Sequence, residues 1–178
     1  MMPRDRGVMK DAAPLQYVTG DATDPVADGP VIIAHICNDI GAWGSGFVLA
    51  VSARWPAAEE AYRLWHENGP HFELGYTQLV AVSGRIVVAN MIAQHGTVTF
   101  PAGDGLPPIR YKALSGALAS VGTAARKAGA SVHMPRIGCG LAGGRWDLIE
   151  PVIEQKLCRR GVPVVVYDLP ESRQWQQL

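Results

Sequence analysis

Two glycine-rich segments hold the residues whose types and spacing could do chemistry. The first, residues 38–47, reads Asn-Asp-Ile-Gly-Ala-Trp-Gly-Ser-Gly-Phe and is called here the first glycine loop. It follows an apolar, β-branched run at residues 31–35, so it joins a predicted buried strand to a predicted helix. Gly41, Gly44 and Gly46 allow close approach of the backbone to a ligand, and free N–H groups at the helix start favour a phosphate.

A plain strand-to-helix connection is the alternative interpretation of this loop, since turn residues are common in such connections. That alternative leaves Trp43 unaccounted for, because we expect its ring to be exposed among three glycines. The phosphate interpretation is therefore preferred.

The second glycine loop, residues 137–144, reads Ile-Gly-Cys-Gly-Leu-Ala-Gly-Gly and also leads from a predicted strand toward a helix. Gly138, Gly140 and Gly143 match the spacing of a dinucleotide-binding fingerprint, and Asp168 closes the next strand. A Rossmann domain starts with this unit and then needs several more strands, whereas only one strand follows here. We reject that interpretation. Two anion-binding loops at strand ends of one sheet predict a single ligand with two phosphates.

Alternating strands and helices must position these loops. Strands are predicted at residues 15–19, 31–35, 74–82, 85–92, 131–134 and 163–167, and helices at residues 46–54, 57–66, 111–127 and 146–160. A turn signal at Ser83 and Gly84 makes a hairpin of two strands, so the predicted fold is a three-layer α/β/α domain with a mixed central sheet. We expect the domain at residues 14–170, with tails at residues 1–13 and 171–178.

Composition narrows the function classes. Lys plus Arg equals Asp plus Glu at sixteen each, so the chain lacks the basic field that attracts nucleic acid, and nucleic acid is not expected as a direct electrostatic partner. No apolar run approaches the ~18 residues of a membrane span, and the N-terminal segment lacks the apolar core of a secretion signal. The three cysteines and five histidines lack metal-ligand spacing, so we expect no metal, no disulfide framework and a cytoplasmic protein.

Taken together, these residues resemble the macrodomain family over nearly the whole chain, from Tyr17 to Leu169. The likeness is greatest to the class that contains terminal ADP-ribose protein glycohydrolase and the antitoxins that remove ADP-ribose from DNA. Its signatures match residues 35–38 leading into residues 43–47 and, with higher specificity, residues 134–141. The resemblance implies a macrodomain that binds ADP-ribose without a cofactor and has ADP-ribosylated proteins as partners.

The resemblance also assigns ligand contacts. It implies that Asp21 accepts a hydrogen bond from the adenine amino group beside the backbone of Ala22, and that Tyr167 flanks the adenine. It also implies that Asn38 and residues 44–47 line the distal ribose and one phosphate, and that residues 138–142 cradle the diphosphate. The remaining implied contacts are Asn38, Trp43, Gly44, Ser45, Gly46, Phe47, Gln94, Pro135, Ile137, Gly138, Cys139, Gly140, Leu141 and Ala142.

Two positions depart from the class pattern. A lysine after the central strand and an aspartate after Gly-Cys-Gly-Leu are held to do the chemistry in that class, and the matching positions here are Gln94 and Ala142. A glutamine cannot become an amine nucleophile and an alanine offers no base. The lysine–aspartate mechanism therefore cannot operate in this chain.

Hydrolysis by water remains open to such a site. Asp39, His95 and Asp104 are the candidate acid–base groups, with a solvated loop residue as the alternative for each. The long segment 96–110 is a loop of the kind that often covers a site. The expected function is hydrolysis of mono-ADP-ribose from acidic side chains of proteins. The alternatives are a non-catalytic ADP-ribose reader and an O-acetyl-ADP-ribose deacetylase.

Overall fold

A computed structural model describes residues 11–171 of the chain. The strands are β1 Leu15–Thr19, β2 Val31–Asn38, β3 Thr77–Ala81, β4 Ile86–Gln94, β5 Ser131–Pro135 and β6 Val164–Asp168. The helices are α1 Phe47–Arg54, α2 Pro56–Asn68, α3 Tyr111–Ala128 and α4 Trp146–Lys156, followed by a 3-10 turn at Cys158–Arg160.

Six strands form one sheet in the order β1-β6-β5-β2-β4-β3. Every neighbouring pair is parallel except the β3–β4 hairpin, which is antiparallel. The prediction of a mixed sheet is therefore confirmed. The five parallel strands all end at one edge of the sheet, called here the carboxyl edge, and begin at the opposite amino edge.

Helices cover both faces of the sheet, which confirms the three-layer α/β/α arrangement. On one face, Ile32 and Ala34 of β2 pack with residues of α3 and α4 such as Leu118 and Ile153. On the other face, Ile33 and its neighbours pack with residues of α1 and α2. Strand β2 is buried on both sides, as its unbroken apolar run predicts.

Several element boundaries differ from the predictions. Strand β2 continues to Asn38 rather than residue 35, because it stays paired with β4 up to Gln94. The last helix ends at Lys156, four residues early, and the chain then turns once more before Gly161 in the left-handed region at φ 81°. The predicted tails lie outside the described residues except for positions 11–13 and 171. In the described part of the predicted N-terminal tail, the Ala13 N–H donates to the Cys158 carbonyl at 2.9 Å.

Two glycines inside α3 differ in the space available for a side chain at their positions. A Cβ at Gly122 would lie 2.6 Å from the Lys156 carbonyl oxygen, where α3 crosses the end of α4. A Cβ at Gly116 would meet its nearest atom, the Gly75 carbonyl oxygen, at an ordinary 3.6 Å. Alanine in a helix interior is favoured over glycine by about 1 kcal/mol, so only the local clash separates the two positions.

We predict opposite signs for the two alanine substitutions. Gly116→Ala raises the free energy of unfolding by about 0.5–1 kcal/mol, because it improves helix propensity without a clash. Gly122→Ala lowers it by about 1–3 kcal/mol, because α3 and α4 must separate to admit the methyl group. Urea unfolding followed by circular dichroism measures both. Equal stabilisation by both variants would show that the α3–α4 contact is looser than described.

Candidate functional site

Asn38, the last residue of β2, organises the start of the first glycine loop. Its Oδ1 accepts hydrogen bonds from the N–H groups of Ile40 at 3.2 Å and Ala42 at 2.9 Å, and its Nδ2 donates to the Ala42 carbonyl at 2.7 Å. The Tyr62 hydroxyl of α2 donates to the Asn38 carbonyl at 2.7 Å. The Asn38 side chain thus shapes the loop, and its predicted contact with a ligand stays a prediction.

Trp43 is not exposed, so that expectation is wrong. Its side chain is 4% exposed and lies between α1 and α2, with its ring centroid 5.2 Å from Tyr62 and 5.4 Å from His35. Its Nε1–H donates to Ser52 Oγ at 3.2 Å. The large apolar ring gains more from burial in this core than from lining an open loop, so Trp43 anchors the loop from beneath.

Gly41 also has a packing role. Its φ is 75°, and a Cβ there would lie 2.3 Å from Nδ1 of His66 on α2. This close packing against α2 accounts for the glycine, and the approach of a ligand at Gly41 stays a prediction.

The open part of the first loop is the stretch Gly44, Ser45 and Gly46, all of which are exposed. A Cβ at Gly44 would meet nothing within 4 Å, so the backbone borders open space. Helix α1 begins at Phe47 and carries no side-chain cap. Because the first turn of a helix lacks intrahelical acceptors for its N–H groups, these groups can receive an anion beside the stretch.

The second glycine loop folds tightly on itself. The Gly144 N–H donates to the Gly138 carbonyl at 2.7 Å, and the Gly143 N–H donates to the Gly140 carbonyl at 3.0 Å. Gly138 has φ 75°, and a Cβ there would lie 2.6 Å from Ile109 Cδ1, so a side chain is excluded on two grounds. Ile137 and Gly138 are buried, Cys139 is half-buried, and Gly140 and Leu141 form the exposed crest.

The two loops meet. A Cβ at Gly46 would lie 3.7 Å from Cδ1 of Leu141, so the crest of the second loop reaches the open stretch of the first. Gly140, like Gly44, borders open space. The prediction that two separate glycine-rich turns lie together at the carboxyl edge is confirmed.

The positions that replace the class lysine and aspartate play structural parts. The Gln94 carbonyl, at the end of β4, accepts a hydrogen bond from the Asp39 N–H at 3.0 Å, which ties β4 to the first loop. Ala142 is 4% exposed, and its carbonyl accepts from the Ile109 N–H at 3.1 Å. The Ala142 methyl group therefore packs in the core, and the predicted contact of Ala142 with a ligand stays a prediction.

Asp39 and His95, predicted separately, lie together. His95 Nδ1 is 2.6 Å from Asp39 Oδ2, and the Gly96 N–H donates to Asp39 Oδ1 at 2.8 Å. The Asp39 side chain is 16% exposed while that of His95 is 44% exposed. With Nδ1–H directed at the carboxylate, Nε2 of the imidazole is left to accept a proton from a water molecule.

Asp104 lies in the long loop beyond His95 and forms an ion pair with Arg110. The Leu106 N–H donates to Asp104 Oδ1 at 3.0 Å. This backbone hydrogen bond and, to a lesser extent, the charges of Arg110 and His95 lower the Asp104 pKa. A carboxylate held ionised by these partners is a poor proton donor. Asp104 is therefore better suited to holding the loop together, through Leu106 and Arg110, than to acid catalysis.

The residues predicted for adenine gather at the β1 and β6 ends. Asp21 Oδ1 accepts from the Thr23 N–H at 2.8 Å and from the Thr23 hydroxyl at 2.7 Å, which makes a tight turn with Ala22 buried inside it. The Tyr167 ring packs beside Gly20, where a Cβ would lie 3.4 Å from its Cδ1. Pro135 pairs with Tyr167 across β5 and β6, so these predicted contacts are neighbours.

The Tyr167 hydroxyl points away from this edge. It lies 2.7 Å from His133 Nδ1 and accepts from the Val26 N–H at 3.3 Å. Burial lowers the His133 pKa to about 4, so the imidazole is neutral, and its Nε2 lies 2.9 Å from Ser131 Oγ. His35 is likewise buried and neutral, with a pKa lowered to about 4 and Nε2 2.6 Å from Asn90 Oδ1. The prediction that both histidines are structural is confirmed.

Within residues 11–171, no group of three or more His, Cys, Asp or Glu side chains could hold a metal ion. Over the same range, no helix is both long enough and apolar enough to cross a bilayer.

Comparison with known proteins identifies the family. A structure described as a macrodomain protein from Streptomyces coelicolor is 51% identical, with a TM-score of 0.76, and the match covers 87% of this chain and 99% of that one. The chain belongs to the macrodomain family. A protein of unknown function from Bacteroides thetaiotaomicron is 50% identical with a TM-score of 0.86, covering 89% of this chain and 100% of that one. No protein-family model matches the chain.

Two of the more distant relatives are larger proteins. Chromodomain-helicase-DNA-binding protein 1-like from Mus musculus is 32% identical over 172 residues, which are 92% of this macrodomain and 19% of that protein. The chain thus spans about a fifth of that relative's length. DarTG from Thermosipho africanus, solved in complex with ADP-ribose, is 18% identical with a TM-score of 0.62, covers 80% of this chain and 39% of that one, and shares the fold.

One cluster of this macrodomain was missed by sequence reasoning. Arg136, just before the second loop, forms a two-pronged ion pair with Asp168 at 2.6 and 2.9 Å. Its guanidinium carbon lies 5.0 Å from the centroid of the Tyr17 ring and 5.2 Å from that of the Trp146 ring. Trp146 Nε1–H donates to the Tyr17 hydroxyl at 2.9 Å, and Glu150 also hydrogen-bonds that hydroxyl.

The Arg136 cluster fastens both ends of the second glycine loop. Arg136 precedes the loop and pairs with Asp168 of β6, whereas Trp146 follows the loop and donates to the Tyr17 hydroxyl of β1. The hydrogen bond from Arg136, more than its charge, lowers the Asp168 pKa below the ordinary value of 3.8. Because the Asp168 pKa is lower in the folded protein than in the unfolded chain, the ion pair stabilises the folded state at pH values above the unfolded pKa. This contribution is lost as the pH falls through the folded pKa.

We predict a pH-dependent cost for Arg136→Gln. At pH 7 the variant loses about 1 kcal/mol of unfolding free energy, as expected for a well-oriented, half-exposed pair. The difference from wild type narrows as the pH falls below about 4, because the Asp168 carboxylate then takes up a proton more readily in the unfolded chain, where Arg136 does not hold it, than in folded wild type. The control is Arg145→Gln, whose exposed pair with Asp147 should contribute little at any pH. Urea unfolding between pH 3 and 7 measures both, and a pH-independent difference would contradict the assignment.

Proposed function

We propose that this macrodomain binds ADP-ribose along the carboxyl edge of its sheet. The observation that carries the proposal is the order of the site residues across neighbouring strands. From β1 to β4 the edge presents Asp21, Tyr167, the second glycine loop, the first glycine loop and His95. Four strand spacings of about 4.8 Å span ~19 Å, enough for an extended nucleotide sugar. Adenine, diphosphate and distal ribose then follow that order.

The diphosphate would be held by backbone groups rather than by basic side chains. N–H groups at the uncapped start of α1 and around Gly140 border the open space where the two loops meet. This mode of binding suits a chain of zero net charge. The ADP-ribose complex of the fold neighbour DarTG supports the same class of ligand.

Gly44→Glu tests the binding site. A glutamate at this position puts bulk and negative charge into the proposed phosphate path, so we expect ADP-ribose affinity to fall at least a hundredfold. Gly84→Glu is the matched control, because Gly84 is also exposed with nothing within 4 Å of its Cβ position but lies in the β3–β4 turn. Isothermal titration calorimetry with ADP-ribose measures both. Normal binding by a folded Gly44→Glu protein would show that the first loop is misplaced.

We further propose that the site hydrolyses mono-ADP-ribose from acidic side chains. The supporting feature is the Asp39–His95 pair beside the distal-ribose end of the order above. In this scheme His95 Nε2 takes a proton from water, the water oxygen bonds to the anomeric carbon, and the bond to the side-chain carboxylate breaks. The products are ADP-ribose and a free carboxylate. Asp39 orients the imidazole through its contact with Nδ1.

A non-catalytic reader is the second candidate, because Gln94 and Ala142 stand where the class has its reactive pair and the Ala142 methyl group is buried. O-acetyl-ADP-ribose, which carries an acyl ester on the same distal ribose, would occupy the same pocket. The three functions share the binding contacts and differ in what happens at the distal ribose.

Release of ADP-ribose from an auto-modified ADP-ribosyl transferase distinguishes the protein hydrolase from the reader. We expect wild type to release it, and His95→Ala to lower the rate ~10²–10⁴-fold, the usual contribution of a general base. The dissociation constant for ADP-ribose should change less than threefold, since His95 is not placed at the diphosphate. Tight binding without release at high enzyme concentration would refute hydrolysis and favour the reader. Unchanged release by His95→Ala would remove His95 from the mechanism.

A further inference from the structure

The amino edge of the sheet, opposite the glycine loops, holds a cavity. It has a volume of about 670 Å³ and lies among the end of α3, the starts of β2 and β5, and the turn that leads into β6. Pockets that bind small molecules usually measure ~300–1,000 Å³, so the cavity is of suitable size. Its lining combines small apolar residues such as Ala125, Ala130 and Val162 with three cations, Arg126, Lys127 and Arg160.

The arginines of this edge differ from the others in having no acidic partner. Residues 11–171 contain nine arginines, of which Arg54, Arg63, Arg110, Arg136 and Arg145 each pair with a carboxylate. Arg85 donates to the carbonyls of Ala27 at 2.6 Å and Gly29 at 3.2 Å. The three that remain, Arg126, Arg159 and Arg160, form no ion pair with a described residue. All three lie at the amino edge, and only one acidic residue, Asp28, lines the cavity.

Helix electrostatics account for only part of this arrangement. Arg126 and Lys127 occupy the last turn of α3, where basic side chains are favoured by the helix dipole. That explains their sign but not their convergence with Arg160, which lies on a turn of three residues that carries little dipole. Cations on two separate segments therefore face one concave space with little acidic compensation.

We propose that this cavity binds a compact polyphosphate anion, such as a nucleoside triphosphate or inorganic polyphosphate. Arg126, Lys127 and Arg160 would neutralise the phosphates, and the Ser131 hydroxyl at the cavity wall would add a hydrogen bond. The cations surround a cavity rather than forming an extended row, which favours a compact anion over a nucleic-acid backbone. The site is separate from the ADP-ribose site, because it lies at the opposite ends of the same strands.

Inorganic tripolyphosphate is the probe, titrated by calorimetry into the full chain at low salt with and without saturating ADP-ribose. We expect binding in both conditions, weakening as salt rises. Arg126→Glu combined with Arg160→Glu should weaken tripolyphosphate binding at least tenfold. Lys112→Glu is the matched charge reversal at the other end of α3, where the side chain is exposed, and it should leave binding unchanged.

Several outcomes would overturn the proposal. These are no binding of tripolyphosphate by wild type at millimolar concentration, equal binding by the double variant, or loss of binding in Gly44→Glu, which would place the anion at the glycine loops. Binding of a twelve-nucleotide single strand without binding of tripolyphosphate would make the surface a nucleic-acid contact instead. If the double variant unfolds, Arg126→Gln combined with Arg160→Gln replaces it. ADP-ribose affinity of the double variant should equal that of wild type, so failure here is distinct from failure of the proposed function.

Discussion

Parallel pairing of β2 with β5 is the constraint on which the site depends. Val31, Ile32 and Ile33 pair with Ser131, Val132 and His133, so the two strands run side by side toward the same edge. β5 ends at Pro135, whereas β2 continues along β4 to Asn38. In that register β2 reaches three residues farther, or ~10 Å, which leaves a step in the edge. The two glycine loops follow these staggered strand ends and meet at Gly46 and Leu141, although about a hundred residues separate them.

Each loop is held by packing beneath it rather than by the surface it presents. Trp43 and Tyr62 fix the first loop from the α1–α2 core, and the Arg136 cluster fixes the ends of the second. The exposed backbone at Gly44 and at Gly140 borders open space, because a Cβ at either position would meet nothing within 4 Å. Such rigid backbone with free N–H groups is preorganised for an anion, since little conformational entropy remains to be lost on binding. Because backbone N–H groups face the space between the loops, binding an anion there does not require basic side chains. Arginines without an ion pair to a described residue lie instead at the amino edge.

The sequence predicted the layers, the mixed sheet and the position of both loops, because these follow from apolar periodicity and glycine spacing. The prediction that the Trp43 ring is exposed was wrong. A tryptophan flanked by glycines belongs to no apolar periodicity, so the sequence does not show whether its side chain faces the core or the solvent. The packing role of Gly41 could not be predicted for a related reason, because the close contact there is with His66, which lies on another helix. The pairing of Arg136 with Asp168 could not be predicted, since 32 positions separate them and only the β5–β6 register brings them together.

The most direct measurement is the crystal structure of this macrodomain soaked with ADP-ribose. The account predicts the diphosphate between the two glycine loops, with backbone N–H groups of residues 44–47 and 138–141 within ~3.2 Å of phosphate oxygens. Adenine should lie toward Asp21 and the distal ribose toward His95. A diphosphate that contacts only one loop, or a nucleotide bound away from the carboxyl edge, would contradict the account.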